Sequence, residues 1–293
     1  MTGGRFFCRK TPFYRFYRFS QNIHIFFQKN ACIYSPHGVI SILLDVVLNT
    51  TLCSLKNSFQ HLNKYLNTEE VSNMNTLLHK LKDPGSAITH FLGMIGALAV
   101  AAPLLIKAQD HTHIIAMAVF VCSMFLLYSA STTYHTFNIS ESVNTILKKI
   151  DHMMIFILIA GSYTPVCLIV LHGKVGYIML AAVWGIALAG ILIKSVWVFC
   201  PKWFSSILYI SMGWVCVFAF PAIMDALSRA AFGWLLGGGI LYTVGGVIYA
   251  LKLPIFNENH KFMNSHVIFH IFVLAGSACH FIFMYKYVVN MPI

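Results

Sequence analysis

The sequence predicts an all-α fold, a polytopic bundle of seven transmembrane helices. Two observations carry that prediction. Apolar residues make up 58% of the chain and charged residues only 10%, against roughly 25% charged in a soluble domain. Such a composition cannot clothe a water-facing surface, and it is far too apolar for a disordered chain. A window of about 20 residues then finds seven separate apolar runs, each long enough to cross hydrocarbon as a helix.

Residues 1–73 read as a basic, poorly structured extension ahead of a membrane domain over 74–293. The stretch Tyr14-Arg15-Phe16-Tyr17-Arg18-Phe19 interleaves aromatics with arginines. That pattern suits a membrane interface or base stacking, and composition favours a loosely structured arm. The run from Val39 to Leu48 is short and contains Asp45, so it makes a poor span. Met74 precedes the apolar core by a few residues. It is an alternative start for the functional protein, which N-terminal sequencing of the expressed product would decide.

The spans are expected at 86–106, 114–134, 151–171, 175–193, 203–223, 232–251 and 265–287. Contiguous apolar runs of this length fit helices, not the alternating strands of a barrel. Pro165 predicts a kink in the third span. Gly185 and Gly190 punctuate the fourth, and Gly237, Gly238, Gly239, Gly245 and Gly246 slim the sixth for close helix packing. The eight cysteines form no CxxC pair and read as small buried hydrophobes.

Loop charge sets the expected orientation. Lys80, Lys82, Lys148, Lys149, Lys194, Lys202, Lys252 and Lys261 fall on the side that precedes the first span; Lys107, Lys174, Arg229 and Lys286 fall on the other. The first side is therefore expected to be cytoplasmic, with the N-terminus inside. The net charge of +11 belongs with loops facing an anionic leaflet. Membrane lipids are the expected partners, and nucleic acid is not.

An ionisable group inside a span is costly and marks a candidate site. Ser131 and His135 are four residues apart near the end of the second span, so they share a helix face. His266 and His270 do the same at the start of the seventh, and Asp151 opens the third. Alternation of seven helices puts these three span ends on one membrane side. Three imidazoles with a nearby carboxylate suit zinc, whose catalytic sites take three protein ligands and leave one position for water. His135, His266 and His270 are the expected ligands. The bland alternative is histidines hydrogen-bonded between helices. His280 lies about 15 Å further along the seventh helix, outside the same ligand shell. His90, near the same end of the first span, is a candidate supporting neighbour of the ligands, but it and His152 read as structural, the latter pointing about 100° away from Asp151 on its helix.

At these residues the sequence resembles the hemolysin III family, the bacterial branch related to progestin and adipoQ receptors. The matching stretches are Asp83-Pro84-Gly85-Ser86-Ala87-Ile88-Thr89-His90, Ser131 with His135, Asp151-His152 followed by Ala160-Gly161-Ser162-Tyr163-Thr164-Pro165, and His266 with His270 followed by Val273-Leu274-Ala275-Gly276-Ser277. The resemblance covers residues 83–288 and offers nothing for 1–73. It implies a seven-helix protein of the bacterial plasma membrane with zinc near the cytoplasmic face. The zinc histidines fall on His135, His266 and His270, the span-three aspartate on Asp151 and the span-two serine on Ser131. The wider superfamily includes alkaline ceramidases, which hydrolyse lipid amides.

Four functions compete. A zinc-dependent hydrolase of a lipid amide or ester would use Asp151 to orient or deprotonate water and Ser131 to donate to the oxyanion. A receptor-like or membrane-homeostasis protein would use zinc structurally, pinning the second, third and seventh spans. Cytolysis through a pore needs a soluble state that this chain is too apolar to have. A proton or ion transporter needs relay groups across the membrane, whereas these cluster on one side.

Overall fold

The structure is a computed structural model, and it describes residues 81–251 and 262–293. The basic extension, the Val39–Leu48 run and Met74 lie outside the described residues. So do Lys80, Lys252 and Lys261 of the charge count.

The described chain is helical, with seven helical segments long and apolar enough to span a membrane. Helix α1 covers Pro84–Lys107, α2 His111–Thr136, α3 Glu141–Pro165 and α4 Gly173–Val196. The fifth span is built from α5 (Lys202–Gly213), a 3-10 stretch (Val215–Ala219) and α6 (Phe220–Ala226). Helix α7 covers Arg229–Leu251 and α8 Ser265–Phe283. Large apolar side chains such as Ile106, Leu192, Val196 and Phe218 point outward. Only lipid can cover a belt of that size, and the protein is an integral membrane protein.

Local chemistry sets the helix starts. Asp110 caps α2, Ser140 caps α3 and Asn264 caps α8, each accepting backbone N–H groups of the first turn, as orphan donors there require. Pro84 opens α1 at a position that needs no N–H. Three boundaries differ from the sequence expectation. Helix α3 begins at Glu141, so Asp151 does not open the third span but lies about 15 Å along it. The Ser140 cap and the half-polar turns up to Ile150 extend the helix beyond its apolar stretch. The third span does not simply bend at Pro165. It passes into a π turn over Val166–Val170, where Leu171 N–H reaches the Val166 carbonyl at 2.9 Å. A π turn is a common response where the regular ladder is disturbed. The fifth span is broken at its middle. There the Tyr163 hydroxyl of α3 donates to the Gly213 carbonyl at 2.6 Å and accepts from the Cys216 amide at 2.9 Å, satisfying backbone groups that lipid cannot.

Contacting spans run one to two, two to three, three to five, five to six, six to seven and seven back to one, which closes a ring. Span four packs outside it against α3. Within the ring, spans two, three and seven turn most of their surface to the centre: 50%, 67% and 61% of their most apolar stretches are buried, against 33% or less for the others. Met117, Phe120, Phe156, Ile169 and Phe283 fill that centre. The helices carrying the candidate ligands are therefore the ones most shielded from lipid.

Candidate metal centre

His135 sits in the last turn of α2, and His266 and His270 in the first two turns of α8. The sequence placed these residues at the same membrane side, and the structure brings them together. One ligand nitrogen from each lies within 4.8 Å of the others. The ring centroids are 4.9 Å (135–266), 5.1 Å (135–270) and 4.4 Å (266–270) apart. The three can hold a metal ion.

Their tautomers follow from their neighbours. His135 Nδ1 lies 3.2 Å from Asp83 Oδ2. A carboxylate only accepts, so Nδ1 carries the hydrogen and Nε2 keeps its lone pair. His270 Nδ1 lies 3.3 Å from the Ser86 carbonyl and 3.3 Å from Thr89 Oγ1, which leaves its Nε2 free in the same way. His266 Nε2 faces His135 Nε2 at 3.1 Å, and His266 Nδ1 has no partner among the described residues. With His135 Nε2 as acceptor, His266 donates to it from Nε2 in the absence of an ion, and with the hydrogen on Nδ1 instead both Nε2 lone pairs are open to a shared cation.

Helix α1 supplies the outer support, which sequence reasoning missed. Asp83 grips His135 twice, since its backbone N–H donates to the His135 carbonyl at 2.9 Å and its carboxylate faces the ring. The same Oδ2 accepts from Ser86 Oγ at 2.7 Å. Burial pushes the Asp83 carboxyl up, but the hydrogen bonds from His135 and Ser86 outweigh it and hold the group below its usual range. Gly85 permits the approach: a Cβ there would lie 2.8 Å from the Phe262 carbonyl oxygen and 2.8 Å from Val267 Cγ2. The advance signals were that Asp83 opens the first of the family-like stretches and immediately precedes the first span on the ligand side. The centre thus ties α1 to α2 and α8, whereas the sequence reading expected support from span three.

His90 is more closely involved than its structural reading implied. It is 3% exposed and stacks on His270, centroids 3.6 Å apart and planes 8° from parallel. Neither of its nitrogens has a hydrogen-bond partner among the described residues. His152 does not point clear of Asp151. Its Nδ1 lies 3.3 Å from Asp151 Oδ2 and 2.9 Å from the Lys148 carbonyl. Both neighbours accept, so Nδ1 is a donor.

A cavity of about 160 Å³ opens beside the cluster. Ser131, Asp151, His266 and His270 line its polar end, and it extends between the spans to Tyr242 and His280. Ser131 Oγ is buried without a hydrogen-bond partner among the described residues. His280 stays apart from the cluster as expected, with Nε2 3.3 Å from the Leu235 carbonyl.

Comparison with known proteins agrees with this architecture. The family model described as "Haemolysin-III related" matches residues 78–281. Hemolysin-3 of Bacillus cereus is 37% identical over 225 residues, 75% of this chain and 97% of that protein. The hemolysin-3 homolog of Bacillus subtilis (strain 168) is 37% identical over 210 residues, 71% of this chain and 94% of that protein. The adiponectin receptor protein of Drosophila melanogaster is 29% identical over 226 residues, 68% of this chain and 49% of that protein. A match over that much of both partners makes this chain a member of the hemolysin III family of membrane proteins.

Proposed function

We propose that His135, His266 and His270 hold zinc, and that the protein is a zinc-dependent hydrolase of a lipid amide or ester. The observation that carries this reading is the convergence of three imidazoles beside a cavity that also presents Asp151 and Ser131. The donor set fits the ion. Two nitrogens on a tetrahedral zinc at 2.0–2.1 Å stand about 3.4 Å apart, close to the 3.1 Å between His135 Nε2 and His266 Nε2. Each His135 and His270 ring also has the outer acceptor that zinc-bound histidines use.

Bound zinc supplies Lewis acidity toward a carbonyl and acidifies water at neutral pH. The protein supplies the rest. Asp151 is buried at the polar end of the cavity, where its carboxylate accepts a proton from attacking water. The His152 Nδ1–H at 3.3 Å keeps that carboxylate oriented. The unpaired Ser131 hydroxyl is free to donate to the oxygen on which negative charge develops. The apolar walls beyond suit an acyl chain. On this reading the cluster faces the cytoplasm, as the lysine count favours.

Metal analysis of detergent-purified protein tests the first half: wild type should carry zinc and His135→Ala should not. Turnover of ceramide-like lipids tests the second. Activity should require both zinc and Asp151, and wild-type protein loaded with zinc but inert toward such lipids would sink the enzymatic reading. A structural role for the metal is the second reading, favoured by the way the centre joins α1, α2 and α8. It expects His270→Ala to lower thermal stability strongly, with no lipid consumed by wild type.

A further inference from the structure

The connection between the fourth and fifth spans holds a side-chain cluster that takes no part in the metal centre. Lys194, in the last turn of α4, is fully buried at 0% exposure. A lysine at a helix end ordinarily extends its amine toward water. This one turns inward. Its Nζ donates to Ser205 Oγ at 2.5 Å and to Cys200 Sγ at 2.9 Å, and Sγ and Oγ are 3.2 Å apart. Cys200 and Ser205 are themselves 8% and 3% exposed. Among the described residues no carboxylate is paired with Lys194. The Tyr209 ring has its centroid 5.9 Å from Nζ.

The amine is thus held against a free thiol at hydrogen-bond distance, itself without solvent exposure while Cys200 keeps 8%. Cys122, Cys167, Cys216 and Cys279 are also free; among the described residues, Cys200 is the cysteine with a lysine amine on its sulfur. A sulfenic acid condenses with a neighbouring thiol to a disulfide or with a backbone nitrogen to a sulfenamide, and a lysine amine on the sulfur is placed for the second kind of condensation. We infer that Cys200 and Lys194 form a sulfenamide cross-link when the protein meets a hydroperoxide oxidant.

The chemistry balances with one equivalent of hydrogen peroxide. Cys200 Sγ attacks one peroxide oxygen. The O–O bond breaks, an S–O bond forms, and the thiol proton leaves with the departing hydroxide as water. Lys194 Nζ, after passing one proton to solvent, then attacks Sγ with its lone pair. The N–S bond forms, the S–O bond breaks, and the hydroxyl leaves as a second water with a proton from nitrogen. Sulfur is oxidised by two electrons and peroxide is reduced by two. A reducing dithiol reverses the step, regenerating thiol and amine. The tie fixes the inner end of α4 to the loop entering α5. That loop leads directly to Tyr209, which lines the cavity and donates to the His152 carbonyl at 3.0 Å.

The test uses the full chain in detergent, treated with hydrogen peroxide, alkylated, digested with trypsin and weighed by mass spectrometry. The expected product is peptide 175–202 left uncut after Lys194, two hydrogens lighter than the linear peptide and restored to it by dithiothreitol. Ser205→Ala should still form it, and Lys194→Arg should not, with Cys200 carried to sulfinic acid instead. The inference is overturned by any of three results in wild type: Cys200 sulfinic acid with Lys194 open to trypsin, Cys200 in a disulfide, or Cys200 unchanged while Cys122 is oxidised. These readouts are independent of zinc and of lipid turnover.

Discussion

Replacing Asp83 by alanine separates the carboxylate's contribution to the centre from the helix packing around it. The change removes the acceptor 3.2 Å from His135 Nδ1 and frees the Ser86 hydroxyl that sits 2.7 Å from the same oxygen. It leaves the Asp83 backbone N–H on the His135 carbonyl at 2.9 Å, so α1 stays attached to α2. On the proposed zinc reading, His135 then loses the acceptor that fixes its tautomer and orients its ring. Outer partners of this kind contribute 10–100-fold to metal affinity, or roughly 1.4–2.7 kcal/mol. Competition against a chromogenic zinc chelator in detergent measures the change, with circular dichroism as the check on helix content. Asp83→Asn retains an acceptor oxygen without the charge and should fall between wild type and alanine. Zinc affinity within about twofold of wild type in Asp83→Ala would refute the carboxylate–histidine pairing as a determinant of binding, since the expected loss is at least tenfold.

The other predictions concern the cavity, the packing and a helix cap. Ser131→Ala should leave the thermal midpoint unchanged or raised, because the buried hydroxyl has no partner among the described residues to lose. On the proposed hydrolase reading the same variant should slow lipid turnover by about 10²–10³, so equal loss of stability and rate would count against the oxyanion role. Gly190→Ala places a Cβ 2.3 Å from Phe156 Cε1, whereas Gly185→Ala meets nothing within 4 Å. Thermal unfolding should show the first destabilised by about 1–3 kcal/mol and the second neutral or stabilised by up to about 1 kcal/mol. Asp110 caps α2, and the His113 backbone N–H holds its carboxyl below the usual range. A lowered carboxylate adds stability that is complete above its unfolded value of about 3.9 and disappears as pH falls through the lower folded value. The melting temperature should therefore drop on acidification below about pH 4. Asp110→Ala should show a smaller drop.

The seven spans were legible because hydrocarbon imposes one requirement, about 20 apolar residues per crossing, and the sequence meets it seven times. His135, His266 and His270 were legible for a related reason: an imidazole in such a run stands out, and helix alternation fixes its side. The role of Asp83 was not: it opens a family-like stretch, but its partner His135 is far along the chain and no local pattern pairs them. The His90 stack on His270 depends on how closely α1 approaches α8, and close approach leaves no periodic trace. The start of α3 was missed because hydropathy reports the apolar part of a helix, whereas the Ser140 cap sets where the helix begins. The break in the fifth span follows from a hydroxyl on another helix, which no local pattern encodes.

That hydroxyl makes the wall of the bundle and its interior acid parts of one mechanical element. Tyr163 works as a rivet through the joint between two half-helices, and its own rod continues about 18 Å down to Asp151. Parting the two half-helices costs both of its hydrogen bonds, so the joint stays tied to the helix that carries the acid.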